Sequence, residues 1–212
     1  MAFALLTHTS AGSSDGIAVT TAGIDTTGAT LLILTISSFS TPGTPTDSKG
    51  NTWVKAKDQV DSGLSYQSIW YSIPTSVGSS HTFTASAAVT YPSIFASSWS
   101  GPGTITLDQT NSATAKQAGS VTPSRDNELL IAAITTWTAG GTASPSAIDS
   151  SFTLLDTVTE DSPINHYGGG AAYQIQTTAT ARDPLWTTNG TGSNTAAIAT
   201  FMASSNSSMF LV

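Results

Sequence analysis

The chain has 212 residues, of which only 9% are charged, and 6 basic side chains stand against 13 acidic ones. So few basic residues cannot build the cationic stripe that contacts nucleic-acid phosphates, so no nucleic-acid partner is expected. The absence of cysteine excludes disulfides, zinc–thiolate sites and thiol catalysis. The length allows a full core without such cross-links, in one large β domain or in two small ones.

The start of the chain carries no recognisable targeting signal. Residues 1–6 (MAFALL) are apolar, but no positive region precedes them and they are too short for the core of a signal peptide. No stretch approaches the ~20 apolar residues of a membrane span. We therefore expect folding in the cytoplasm without a signal peptide, and no membrane partner.

In chain order, the first half predicts short strands separated by turns rich in Gly, Pro, Ser and Asp. Residues 29–39 (ATLLILTISSF) form a continuous apolar run bounded by turns, which is typical of a central strand covered on both faces. Residues 40–47 carry two prolines and a glycine and predict a loop. The other strand candidates are residues 3–9, 17–21, 65–73, 81–85 and 93–99.

The second half repeats the pattern of the first. Residues 127–137 (NELLIAAITTW) nearly copy residues 29–39, and four further segments recur in the same order at offsets of about 98 to 103 residues. These pairs are 53–54 with 152–155, 70–73 with 171–175, 82–84 with 185–187, and 95–99 with 197–201. Five matches in one order indicate an internal duplication.

The predicted fold is all-β: one sandwich domain over residues 1–212, jelly-roll-like or Greek-key-like, with about ten antiparallel strands in two sheets. Its two related halves, residues 1–102 and 103–212, meet near the GPG sequence at 101–103. Packing the halves together covers the apolar face and the strand edges that each would expose alone. Two tandem sandwiches of roughly 100 residues each are the alternative.

Short sequence motifs follow one another along the chain in an order that resembles a known family. The motifs are TTGATLLIL, DSKGNTW, IWY, HTFTAS, YPSI, WSG, LDQT, GSVTPS and NELLIA, followed by a last aromatic strand. From about residue 26 to residue 201 it resembles a family of Ser/Thr/Gly-rich β-sandwich proteins, found in tailed-phage genomes and as modules of secreted bacterial proteins. The resemblance implies a structural role in a virion or at a cell surface, with no catalytic residues.

Two kinds of binding residue are candidates. Asp47, Asn51 and Asp149 lie in equivalent loops and offer the oxygen ligands that Ca²⁺ prefers, although such side chains in turns usually cap the backbone. The candidates for stacking on a sugar are Trp70, Tyr71 and Trp186. Since neighbours in a strand point to opposite faces, one of the first two is expected outside the core or under a loop.

No catalytic constellation and no cofactor motif is predicted. The three histidines are scattered among many hydroxyl residues, and no G-x-S-x-G elbow precedes a helix. The glycine run 168–170 lacks the lysine and the helix of a phosphate loop. We expect it to allow a bulge or a close approach of backbone at a strand start.

Two functional hypotheses remain. The first is a non-enzymatic bacteriophage virion protein (capsid decoration, head-fibre or tail component) or surface protein that packs against copies of itself and other virion or surface proteins. Apolar chain ends usually dock somewhere, so the expected assembly contacts are Met1, Phe3, Leu5, Leu6, Met209, Phe210, Leu211 and Val212. The alternative is a carbohydrate-binding module or a lectin-like adhesion protein with glycan partners. The expected location is the virion, or otherwise the extracellular surface.

Overall fold

The computed structural model describes residues 2–14, 18–86, 90–149, 151–161, 165–189 and 191–204. Over these ranges the protein is all-β, with fourteen strands and no helix, and so without a helix that could span a membrane. The strands are β1 (Ala4–Gly12), β2 (Leu31–Ser38), β3 (Thr46–Asp47), β4 (Val54–Asp61), β5 (Ser65–Ser72), β6 (Phe83–Thr84), β7 (Ser93–Ser100), β8 (Ile105–Ala113), β9 (Glu128–Thr138), β10 (Pro145–Ile148), β11 (Thr153–Asp161), β12 (His166–Gln176), β13 (Trp186–Thr188) and β14 (Asn194–Ala203).

The strands form two five-stranded antiparallel sheets and two small ribbons. Sheet I has the order β1-β7-β2-β5-β4, and sheet II has the order β11-β12-β9-β14-β8. Ribbon I pairs β3 with β6, and ribbon II pairs β10 with β13. The antiparallel sandwich class is therefore confirmed. The ten strands of the two sheets match the expected number, and the ribbons add four.

The two halves of the chain have the same strand order. The first seven strands build sheet I and ribbon I, and the last seven build sheet II and ribbon II. Counted within its own half, each sheet has the order first, seventh, second, fifth, fourth. Each half is thus one large sheet covered by its own ribbon.

Sheets I and II pack face to face and share the core between them. Along β2, Leu31 points into this core, while Leu32 points outward into the cluster under ribbon I. Leu129 and Leu130 of β9 divide in the same way between the shared core and the cluster under ribbon II. Alternating side chains are buried on both faces, as the two continuous apolar runs predict.

Two aromatic contacts between the halves use equivalent positions with the halves exchanged. Trp99 of the first half packs edge to face on Tyr173 of the second, with ring centres 4.9 Å apart. The exchanged contact, Phe201 on Tyr71, has a centre-to-centre distance of 5.4 Å. Edge-to-face pairs of this kind each add about 1 kcal/mol beyond the area they bury. The two halves therefore contribute equivalent aromatic residues to the contact between them.

All four edge strands of the large sheets are interrupted. The register shifts near Leu6 in β1, near Ala56 in β4 and near Leu155 in β11. In β8, two residues, Asp108 and Gln109, stand opposite one residue of β14. A bulge in an edge strand discourages pairing with the edge of another molecule, so the sheets resist open-ended stacking.

The glycine run 168–170 lies in β12 where three layers come together. A Cβ on Gly169 would stand 2.6 Å from Oγ of Ser37 and 2.8 Å from the Phe95 ring, both in sheet I. On the opposite face, a Cβ on Gly170 would meet the Trp186 ring of ribbon II at 3.0 Å. The run allows a close approach of the backbone to its neighbours, as predicted.

Candidate functional site

The arrangement that most resembles a catalytic centre lies where ribbon I meets the loops around it. Oδ1 of Asp47, at the end of β3, accepts a hydrogen bond from Nε2 of His81 at 2.9 Å. A carboxylate can only accept, so this nitrogen carries the proton. Nδ1 of His81 lies 2.9 Å from the Thr26 hydroxyl. Thr26, His81 and Asp47 thus form the hydroxyl–imidazole–carboxylate line of a hydrolase triad.

This line is closed to a substrate. All three side chains are completely buried. The Thr26 hydroxyl also accepts from the Gly78 amide at 3.1 Å and lies 3.2 Å from the Gly78 carbonyl oxygen. A nucleophile has to reach the reacting carbonyl, and these contacts occupy the hydroxyl. The line therefore joins three segments of the chain inside the protein.

The Asp47 carboxylate is held ionised inside the protein. Burial by itself would raise the pKa of this group, but hydrogen bonds from His81, the Lys49 amide and Trp53 outweigh burial and hold the pKa below its ordinary value. The indole N–H of Trp53 donates to Oδ2 at 2.8 Å, and the Lys49 amide donates to Oδ1 at 2.8 Å. A buried charge with this many donors is satisfied without a metal.

The proposed calcium ligands act as backbone caps in the structure. Oδ1 of Asn51 accepts from the amides of Thr75 and Ser76 at 2.9 and 3.0 Å, and its Nδ2 donates to Asp47. Asp149 follows β10 in the other half, where its Oδ1 accepts from the Leu185 amide at 2.7 Å. The structure therefore does not bring the three together. Its described part holds no cluster of three His, Cys, Asp or Glu side chains suited to a metal.

The proposed sugar-stacking residues are covered. Trp70 is 5% exposed on the outer face of sheet I, where the Lys55 ammonium lies 5.1 Å from its ring centre. Tyr71 points to the opposite face, as expected, and packs on Phe201. Trp186 is 2% exposed in the core under ribbon II. Neither tryptophan offers a free ring face, so the structure corrects the expectation that a sugar stacks on them.

A different aromatic group, which the sequence did not single out, lies at the end of the sandwich. The rings of Tyr91 and Tyr167 are stacked 4.8 Å apart, and Phe39 meets Tyr167 edge to face at 5.9 Å. Phe39 is 38% exposed, and Tyr91 is half-buried. Tyr91 adopts φ +52°, a conformation that costs about 1 kcal/mol in a bulky residue. This loop conformation brings its ring onto the other half of the molecule.

Some of the predicted assembly contacts are buried in the protein and others are exposed. Phe3 is buried in the shared core and Leu5 packs against it, so the structure corrects the expectation that they face a partner. Leu6 is 42% exposed at the bulge of β1 and is open to a contact. Met1 and residues 209–212 lie outside the described residues.

Two acid–base contacts near the surface join neighbouring strands. Nδ1 of His8 in β1 lies 2.8 Å from Oδ2 of Asp156 in β11, which ties one edge of sheet I to sheet II. Asp58 accepts from Lys55 at 2.8 Å and from the Tyr66 hydroxyl at 2.7 Å. Burial and the Asp58 carboxylate raise the pKa of Tyr66.

No family model, no curated protein and no solved structure matches the chain.

Proposed function

We propose that the protein is a non-enzymatic structural component of a bacteriophage particle, such as a capsid decoration, a head fibre or a tail part, or of a cell surface. It acts by associating with copies of itself and with other virion or surface proteins. The observation that carries this proposal is that the Thr26–His81–Asp47 line is buried and has a structural role. The hydroxyl, imidazole and carboxylate groups that an enzyme would offer to a substrate are buried here and hold the fold together.

Two further features support a durable surface protein. The halves share a core and bury their aromatic contacts, while bulges interrupt all four sheet edges. Only 9% of the residues are charged, so the surface depends on hydroxyl and amide groups whose hydration changes little with salt or pH. Such a surface suits a protein that must survive outside a cell.

Mass spectrometry of purified phage particles from the source strain tests the virion assignment, which predicts this chain among the particle proteins at a stoichiometric level. Sedimentation velocity over a range of concentrations tests self-association. We expect Leu6→Asp to weaken association and Leu185→Asp, a substitution of an equally exposed leucine next to ribbon II, to leave it unchanged. A chain that is absent from particles and monomeric at every concentration contradicts the proposal.

Glycan binding is the second candidate, and the aromatic group at the sandwich end favours it. Exposed aromatic rings beside hydroxyl and amide groups match the alternating apolar and polar faces of a sugar. In a glycan-array assay, this candidate predicts that Phe39→Ser or Tyr91→Ser abolishes binding while Leu185→Ser does not. Absence of binding by the unmodified protein removes this candidate.

A further inference from the structure

Two carboxyl groups are held side by side on the outer face of sheet II. Asp108 occupies the bulge of β8, and Glu128 is the first residue of β9. The amide of Ser124 donates to Oδ2 of Asp108 at 2.8 Å, and the next amide, that of Arg125, donates to Oε1 of Glu128 at 2.9 Å. Consecutive amides lie within one peptide unit of each other, so they bring the two carboxyl groups together.

The surroundings of Glu128 offer few donors to an ionised carboxylate, namely the Arg125 amide and the Thr200 hydroxyl. Glu128 is only 1% exposed, and its Oε2 has no hydrogen-bond donor among the described residues. Its partner in register, Gln176 of β12, is also buried, and Oε1 of that side chain lacks a donor as well. An unmatched buried acceptor destabilises the folded state, and a second carboxylate beside the first adds repulsion.

We propose that Glu128 holds a proton that it shares with Asp108, which makes a proton-dependent junction between β8, β9 and the 121–127 segment. When the proton is bound, Oε2 of Glu128 is a hydrogen-bond donor and is no longer a buried acceptor without a donor. It also removes one of two adjacent negative charges, while the Ser124 and Arg125 amides hold the pair in place. Val121 of the 121–127 segment packs into the core under ribbon II. The junction therefore helps to hold ribbon II on sheet II.

The other charged groups near this junction are engaged elsewhere. The Arg182 guanidinium donates to Gln174 at 3.0 Å and to the Ala181 carbonyl oxygen at 3.1 Å. The Asp126 carboxylate accepts from the Ala179 amide at 2.7 Å. Arg125 contributes its amide, while its side chain is exposed. The facing residues of β12 and β14, Gln176 and Thr200, are uncharged. Asp108 is thus the charge that acts on Glu128.

The pKa shifts agree with this geometry. Burial first, and then the Asp108 carboxyl group, raise the pKa of Glu128, and they outweigh the hydrogen bonds from the Thr200 hydroxyl and the Arg125 amide, which lower it. Burial would also raise the pKa of Asp108, but hydrogen bonds from Ser124 and Gln109 and from the Glu128 carboxyl lower it. The raised pKa of Glu128 contributes stability below the ordinary pKa of a glutamic acid. That stability is lost as the pH rises through the folded-state value.

The test compares unfolding midpoints in urea from acid to alkaline pH for the unmodified chain, Glu128→Gln and the control Glu160→Gln. A glutamine side chain is the neutral counterpart of the protonated glutamic acid, so the Glu128→Gln variant keeps the donor at every pH. We expect the unmodified chain and the control to lose stability relative to Glu128→Gln as the pH rises above ~4.3, and then to level off. Each unit by which the pKa is raised corresponds to a tenfold change in the unfolding equilibrium constant.

A direct readout does not depend on the variant folding well. Carboxyl-carbon NMR of the unmodified chain should show one glutamic acid that titrates above the ordinary range, and Asp108→Asn should move that titration back toward it. Titration of both glutamates in the ordinary range overturns the proposal. An equal pH dependence of stability in all three proteins also overturns it. Finally, a shift of the midpoint by added Ca²⁺ or by a chelator at neutral pH would mean that a cation, and not a proton, sits between the carboxyl groups.

Discussion

The substitution Gly169→Ala probes the close contact between the two halves. The new methyl group would stand 2.6 Å from Oγ of Ser37 and 2.8 Å from the Phe95 ring, well inside van der Waals contact. Oγ of Ser37 donates to Gln67 at 2.8 Å and to the Ile134 carbonyl oxygen at 3.1 Å, so it cannot move aside without breaking hydrogen bonds. Overpacking of this kind costs about 1–3 kcal/mol.

The matched control is Gly140→Ala. A methyl group at Gly140 meets no atom within 4 Å, and the backbone there does not have a positive φ, so the control should be neutral or slightly stabilising. For a chain of this size, about 1–3 kcal/mol corresponds to a fall in Tm of roughly 2 to 12 °C. Calorimetry of the two variants measures this difference. Equal Tm values for Gly169→Ala and Gly140→Ala would refute the close packing of the sheets.

Three other predictions concern the buried network, the halves and calcium. Asp47→Asn should lower the free energy of unfolding in urea by about 3 kcal/mol, because it leaves the His81 and Trp53 donors without their charged acceptor; the exposed Asp25→Asn should change it little. Because the pKa of Asp47 is lowered, its contribution to stability is present above its ordinary pKa and is lost as the pH falls through the folded-state value. Acid unfolding should therefore begin at a lower pH in the unmodified chain than in Asp47→Asn. Residues 1–102 expressed alone expose the face that carries Leu31, so light scattering should find dimers or aggregates, and a stable monomer would argue against the shared core. Added Ca²⁺ should leave the Tm unchanged, since the Asp47 oxygens already have donors, and a rise that saturates would count against this assignment.

The central strands could be predicted because they are buried on both faces. Residues 29–39 and 127–137 are continuous apolar runs, and their strands occupy the middle of each sheet. The edge strands gave a weaker signal. β4 and β8 are polar and bulged, so the alternation of apolar and polar residues is interrupted. The ribbon strands have 2 to 4 residues, too few for a periodic pattern.

The candidate residues show where reasoning from sequence stops. The opposite directions of Trp70 and Tyr71 follow from strand geometry, but nothing local indicates that Lys55 covers the Trp70 ring. Tyr91 lies in a corner with a proline, and its stack on Tyr167 depends on packing between halves. Glu128 lies within the run 127–137 that predicts a buried strand, but the run does not indicate that its carboxyl group accepts from the Arg125 amide. The first two of these are contacts between residues far apart in the chain, which sequence patterns do not encode.

The most direct test of the shared core between duplicated halves is a disulfide across it. Oγ of Ser65 in sheet I lies 2.9 Å from Oγ of Ser193, which precedes β14 of sheet II, and the chain has no cysteine of its own. In the double variant Ser65→Cys, Ser193→Cys, mild oxidation should give one intramolecular disulfide, seen by mass spectrometry of the non-reduced monomer. Closing a loop of 128 residues should also raise the stability, by about 4 to 5 kcal/mol if the bond is unstrained. Free thiols after oxidation, or disulfides found only between molecules, would contradict the packing of the two halves described above.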